Sequence, residues 1–200
     1  MCQNLTQGNS WSATLRALLV ALDEWADKGI EPPKSNYPTL QDNTLVTLDA
    51  ARAAFPAIPH VNFPTVINEL ALPNFGPGFG STGGRLTQLP PVLGSSRYQL
   101  FVPKPDRDGL DIGGIRPMEV AAPTATITGW AVRAAGRREG DLCGLSGSYL
   151  PFAKTQAERQ ASGDPRLSLE ERYKDTAGFV KAVEEAARKL VRERFLLQED

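Results

Sequence analysis

Residues 12–28, SATLRALLVALDEWADK, place Leu15, Leu18, Leu19, Leu22 and Trp25 at the i, i+3, i+4, i+7 spacing of an amphipathic helix. Ser12 is the expected N-cap and Gly29 the expected C′ residue, ahead of Pro32 and Pro33, which stop any continuation. The last quarter has the same period. Thr155–Gln156–Ala157–Glu158 and Ser168–Leu169–Glu170–Glu171 have the spacing of capping boxes and predict two helix starts, separated by Gly163, Asp164 and Pro165. Phe179, Val183, Ala186, Ala187, Leu190 and Val191 then form the apolar stripe of a longer helix ending near Phe195.

Between these helical ends the period is lost. Residues 56–117 hold 10 prolines and 9 glycines, too many for long helices. Phe55, Phe63, Phe75, Phe79, Tyr98 and Phe101 punctuate the stretch, whereas disordered segments are poor in aromatics. The expectation is an ordered, loop-rich layer pinned by aromatic anchors. Short strands are expected at 44–48, 98–102 and 126–132, the last from the alternation TITGWAV. PDRDGLD at 105–111 has the Asp and Gly chemistry of a tight turn, so a β-hairpin is expected from Arg97 to about Ile115.

Together these elements predict an α+β (mixed), coil-rich chain: an amphipathic N-terminal helix, a few short strands and a helical C-terminus. The expected organisation is a helix at 12–28, a Pro/Gly-rich layer with short strands at 39–135 and a helical region at 150–200. No internal repeat interrupts it.

Composition narrows the functional classes. A hydrophobic share of 41% and a charged share of 22% are those of a soluble globular chain. The 22 basic and 23 acidic residues leave a net charge of −1, so no electrostatic case for nucleic acid or a membrane surface arises. No apolar run reaches the ~18 residues of a membrane span. The N-terminal residues have neither the basic nor the apolar region of a signal peptide. Cys2 and Cys143 lie far apart and in no CxxC pattern, so neither a disulfide framework nor a zinc site is expected. No cofactor is expected.

Candidate chemistry is sparse. Gly144–Leu145–Ser146–Gly147–Ser148 approximates the G-x-S-x-G turn that raises a nucleophilic serine between a buried strand and a helix, but RREGDLC before it and YLPF after it fit neither flank. The one histidine, His60, precedes Ser146, whereas hydrolases of this type place the histidine after the serine. Ser146 therefore reads as a turn residue and His60 as a loop residue, and both remain only weak candidates for catalysis. A third arrangement, Ser146 with an acid such as Asp141, needs contacts that spacing cannot supply.

Asp106, Asp108 and Asp111 suggest the start of a calcium loop, but Leu110, Asp111 and Pro117 stand where such a loop needs a ligand, a glycine and a glutamate, so the turn reading is preferred. No metal is expected. The run NFGPGFGSTGG at 74–84 lacks the GK[ST] of a phosphate cradle and reads as a surface loop. Arg116, Arg133, Arg137 and Arg138 are the guanidinium groups available to clamp an anion, or else to pair with Glu119, Glu139 or Asp141.

Residues 98–173 add a different kind of signal. The runs VP-x-x-D-x-D-G-x-D-x-x-GIR, TGW-x-x-R, L-x-GS-x-x-PFA-x-T-x-x-ER and GDPR-x-SL-x-ERY occur there in order, and the chain resembles the family of alpha/beta hydrolase domain proteins. RALLVALDEWADKGIEPPKSNYP and FPAIP extend the likeness over nearly the whole chain. The resemblance implies the C-terminal portion of a longer, serine-hydrolase-like protein and hence a partial α/β-hydrolase fold. It places the serine elbow and catalytic histidine in segments not present here; near FPAIPHV the family pattern more often has glycine at the position of His60. It further implies small-molecule ester or acyl substrates for the longer protein, and a segment without chemistry of its own. The rival expectation is a stand-alone, non-catalytic interaction module. A segment on its own would expose apolar surface from its first helix and strands and could self-associate.

Overall fold

The computed structural model describes residues 1–65, 67–136 and 138–200. In chain order the elements are β1 (Leu5–Thr6), α1 (Ser12–Lys28), β2 (Leu45–Val46), α2 (Leu48–Ala54), β3 (Ala71–Asn74), β4 (Val92–Arg97), β5 (Val102–Pro103), α3 (Met118–Ala121), β6 (Ala125–Ile127), β7 (Ser148–Pro151), α4 (Gln156–Ser162), α5 (Leu169–Tyr173) and α6 (Thr176–Arg192). Every strand pairing between these elements is antiparallel. Among the described residues the chain is a mixed α and β one, with six helices and small sheets. It divides into a larger unit, Met1–Thr65 with Val102–Asp200, and a smaller unit, Val66–Phe101.

In the larger unit β1, β7 and β6 form a three-stranded sheet with β7 in the middle, and β2 pairs with β5. One apolar cluster is built on Leu190, Phe195 and Leu196, with Leu18 of α1, Met118 of α3 and Val191 of α6 against it. Phe55, Phe63 and Trp130 form a second centre, their rings 5.2 to 5.6 Å apart, close enough for the edge-to-face attraction of aromatic quadrupoles.

The C-terminal helices start where the sequence places them. Thr155 accepts from the Glu158 amide while the Glu158 carboxylate accepts from the Thr155 amide, and Ser168 and Glu171 repeat the arrangement. Gly163, in the left-handed region, ends α4. At α1 the C-terminal signal also holds, with Gly29 left-handed and its N–H on the Trp25 carbonyl. The N-terminal signal shifts by one residue, because Ser12 is already helical and Trp11 stands at the cap with no side chain to offer.

The apolar stripe of α1 lies largely in the open, and the adjoining face of small residues is the buried one. Thr14, Ala17 and Ala21 are buried, whereas Trp11, Leu15, Leu19, Leu22 and Trp25 are each half or more exposed. Helical period identifies an apolar face but not which neighbour covers it, and here small residues allow close approach on the adjoining face.

Several strand expectations shorten. Only Leu45 and Val46 of the 44–48 segment are extended, because Thr47 caps α2 and Leu48 enters that helix. Tyr98–Phe101 is not strand, since β4 ends at Arg97. Within 126–132 the strand stops at Ile127, and Val132 makes an isolated bridge with Leu142. The PDRDGLD turn is present, closed by a Pro105–Asp111 bridge, yet β5 pairs with β2 instead of completing the expected hairpin. Gly109 is required in that turn: its φ is +78°, and a Cβ there would lie 2.8 Å from the Phe55 ring.

The cysteines correct the sequence reading most clearly. Cys2 and Cys143, 141 residues apart, form a disulfide. Spacing along the chain carries no information about a pairing that the tertiary fold creates.

In the smaller unit β3 and β4 form a hairpin, irregular between Ala71 and Pro73, with Phe75 stacked on Phe79 at 4.7 Å. All six residues of β4 are exposed.

Candidate functional site

Ser146 is exposed, between the disulfide-bonded Cys143 and the first residue of β7. Its glycine neighbours have local explanations. Gly144 adopts φ +71°, and a Cβ on Gly147 would lie 1.6 Å from the Thr128 carbonyl oxygen. The Gly147 carbonyl accepts from the Gln7 amide at 3.0 Å, which seats β1 beside β7. Thus the element after Ser146 is a strand, where a nucleophile elbow requires a helix N-terminus.

His60 sits exposed in a turn with φ +60°. Among the described residues, no hydrogen bond or ion pair joins it to Ser146 or to Asp141. The Asp141 carboxylate is held by Arg138 at 2.9 Å.

The carboxylates of the PDRDGLD turn are also engaged by protein partners. Asp106 accepts from the backbone amides of Asp108 and Leu110 at 2.9 and 3.0 Å and from Arg116 at 3.1 Å. Asp108 is buried and takes both terminal nitrogens of Arg172. Among the described residues, no three His, Cys, Asp or Glu side chains gather as a metal would need. Of the other arginines singled out above, Arg133 bridges Cys2 through its backbone, and Arg137 lies outside the described residues.

What sequence reasoning missed is the place where its motifs meet. Arg166 donates to the Thr126 hydroxyl and the Leu150 carbonyl, both at 2.9 Å, to the Pro151 carbonyl at 3.2 Å and to Asp164 at 2.6 Å. The Thr126 hydroxyl donates to the Asp108 backbone carbonyl. Phe152 is in contact with two guanidinium groups, Arg172 4.1 Å and Arg166 5.0 Å from its ring centroid. Arg159 grips Glu171 with two nitrogens, at 2.7 and 3.0 Å. The D-x-D-G, PFA, GDPR and ERY runs therefore converge, with Thr126, on one buried polar network. The available signal was their alternation of acids and arginines.

Charge in this network is balanced locally. Burial pushes the Asp164 carboxyl up, but hydrogen bonds from the Arg166 side chain and amide outweigh it, and the net shift is down. Glu171 is held at about 2, first by the Ser168 amide and then by Arg159. Burial raises the Tyr173 phenol, which donates to the Pro123 carbonyl at 2.8 Å. Beside the network lies an open cleft of about 460 Å³ lined by Thr124, Lys154, Tyr173, Lys174 and Phe179 among others.

Among the described residues no helix is long and apolar enough to cross a bilayer. The profile of the family described as alpha/beta hydrolase domain matches residues 1–200. The chain belongs to that family, and its architecture is a partial α/β-hydrolase fold. No match was found among curated proteins or among solved structures.

Proposed function

We propose that this chain is a non-catalytic portion of a serine-hydrolase-like, ester- or acyl-hydrolysing protein, and that serine and histidine from outside residues 1–200 perform the chemistry. The observation that carries the reading is the setting of Ser146: an exposed residue followed by β7, with no helix N-terminus or paired base to activate it among the described residues. The exposed apolar stripe of α1 supports the same reading, since α/β folds bury such stripes against a sheet and the described residues contain no parallel sheet to receive it. In this account the motif network holds the C-terminal helices to β6 and β7 and shapes the surface that meets the rest of the domain. A small ester substrate binds only the assembled protein.

The test is hydrolysis of a short-chain p-nitrophenyl ester by the purified chain beside its Ser146→Ala and His60→Ala variants. The reading predicts one shared background rate. Loss of a measurable rate in either variant would assign chemistry to residues 1–200. Equal rates from a compact monomer that hides the α1 stripe would favour a stand-alone interaction module.

A further inference from the structure

We infer that the Cys2–Cys143 disulfide is a redox latch on β1, and that its reduction releases residues 1–10 from β7 and uncovers the edge of that strand.

The segment before α1 is held without a hydrophobic anchor. No residue from Met1 to Trp11 is buried, and Met1 and Leu5 are 88% and 70% exposed. Its non-covalent hold is a thin row of backbone contacts with one long side-chain bond, from the Asn62 amide to the Gln3 side-chain oxygen at 3.4 Å. The Gln3 amide donates to the Val132 carbonyl at 2.8 Å, the Ala134 amide to the Met1 carbonyl at 3.1 Å and the Gln7 amide to Gly147, while β1 contributes only the pairs Leu5–Tyr149 and Thr6–Ser148.

Two further features weaken the seat. Asn4 Nδ2 and Asn9 Oδ1 are the buried side-chain polar atoms that find no hydrogen-bond partner among the described residues, and both lie in this segment. Polar atoms in that condition favour release into water. The connection to α1 is also loosely built, because Gly8 has open space around its α-carbon and Trp11 offers no side-chain cap.

Against this stands one covalent tie. Cys143 is buried at the end of the segment whose amides pair Cys143 with Ala131 and Arg133 with Asp141, so its sulfur is fixed by the body of the fold. Cys2 is the movable partner. A dithiol reductant delivers two electrons and two protons to the S–S bond, leaving thiols on Cys2 and Cys143 and the reductant as its own disulfide. The segment then has only its backbone bonds and the Asn62–Gln3 contact. Once it leaves, β7 changes from the middle strand of its sheet to an edge with unpaired backbone groups.

Amide hydrogen exchange of the full chain, before and after dithiothreitol, tests this. Alkylation of the unreduced, denatured chain with iodoacetamide comes first: no adduct is expected, and two adducts would overturn the proposal. On reduction, the amides of Gln3 and Gln7 are expected to exchange at least tenfold faster while those of α6 keep their rates, and Cys143→Ser should reproduce that pattern without reductant. Unchanged protection at Gln3 and Gln7 would overturn the latch. So would loss of protection in α6 as well, which would make the bond a staple of the whole fold.

Discussion

Arg172 and Asp108, 64 residues apart, meet as a two-pronged ion pair whose side chains are only about a tenth exposed. Their contact joins α5 to the PDRDGLD turn, and the Phe152 ring lies against the same guanidinium. Burial removes both charges from water, so each depends on the other for its solvation.

Breaking that dependence should be costly. Arg172→Met leaves Asp108 buried and unpaired, and Arg166→Met does the same to Asp164; each is expected to lower stability by about 3–5 kcal/mol in urea denaturation. Arg166→Met combined with Asp164→Asn should cost less than Arg166→Met alone, because the stranded charge is gone.

The capping boxes give a prediction with a pH window. Ser168→Ala should destabilise the chain by about 1 kcal/mol at neutral pH. Glu171 titrates at about 2 in the fold, below its ordinary 4.5, and Asp164 is also lowered. Carboxyls with depressed folded values contribute fully above their unfolded values and lose that contribution as the pH falls through the folded ones. Stability should therefore decline from about pH 4.5 downward, with a shallower slope in Glu171→Gln, as read by thermal melts at each pH.

Glycine placement is testable at Gly147. Its missing Cβ makes room for the Thr128 carbonyl, so Gly147→Ala forces apart the turn that carries Ser146. A loss of more than about 1 kcal/mol is expected. Ser146→Ala, on an exposed side chain, should stay within about 0.5 kcal/mol of the parent in the same denaturation experiment.

For α1 the exposed stripe makes an unusual prediction for leucines in an amphipathic helix. Leu15→Lys and Leu19→Lys should leave stability nearly unchanged while reducing any self-association seen by sedimentation velocity. Ala17→Leu, by overpacking the buried face, should cost about 1–3 kcal/mol.

Local signals were legible from sequence because their physics is local. Thr155 with Glu158, Ser168 with Glu171, and the glycines after α1 and α4 satisfy backbone groups within a few residues, so spacing alone identifies them. The strand expectation at 44–48 failed where two local codes overlapped: apolar alternation ran into the Thr47 cap, and the cap prevailed. What tertiary structure decides stayed hidden. Nothing near Cys2 indicates Cys143, nothing near Asp108 indicates Arg172, and the leucines of α1 have the same period whether a sheet covers them or not. At Ser146 and His60 the flanking residues described turn and loop settings, and both side chains lie in such settings here.

The central claim, that residues 1–200 carry no activated serine, is tested most directly by the intact mass of the purified chain after treatment with a fluorophosphonate, with circular dichroism on the same sample to establish its fold. The account predicts an unmodified mass on a folded chain. A stoichiometric adduct on Ser146 would contradict it.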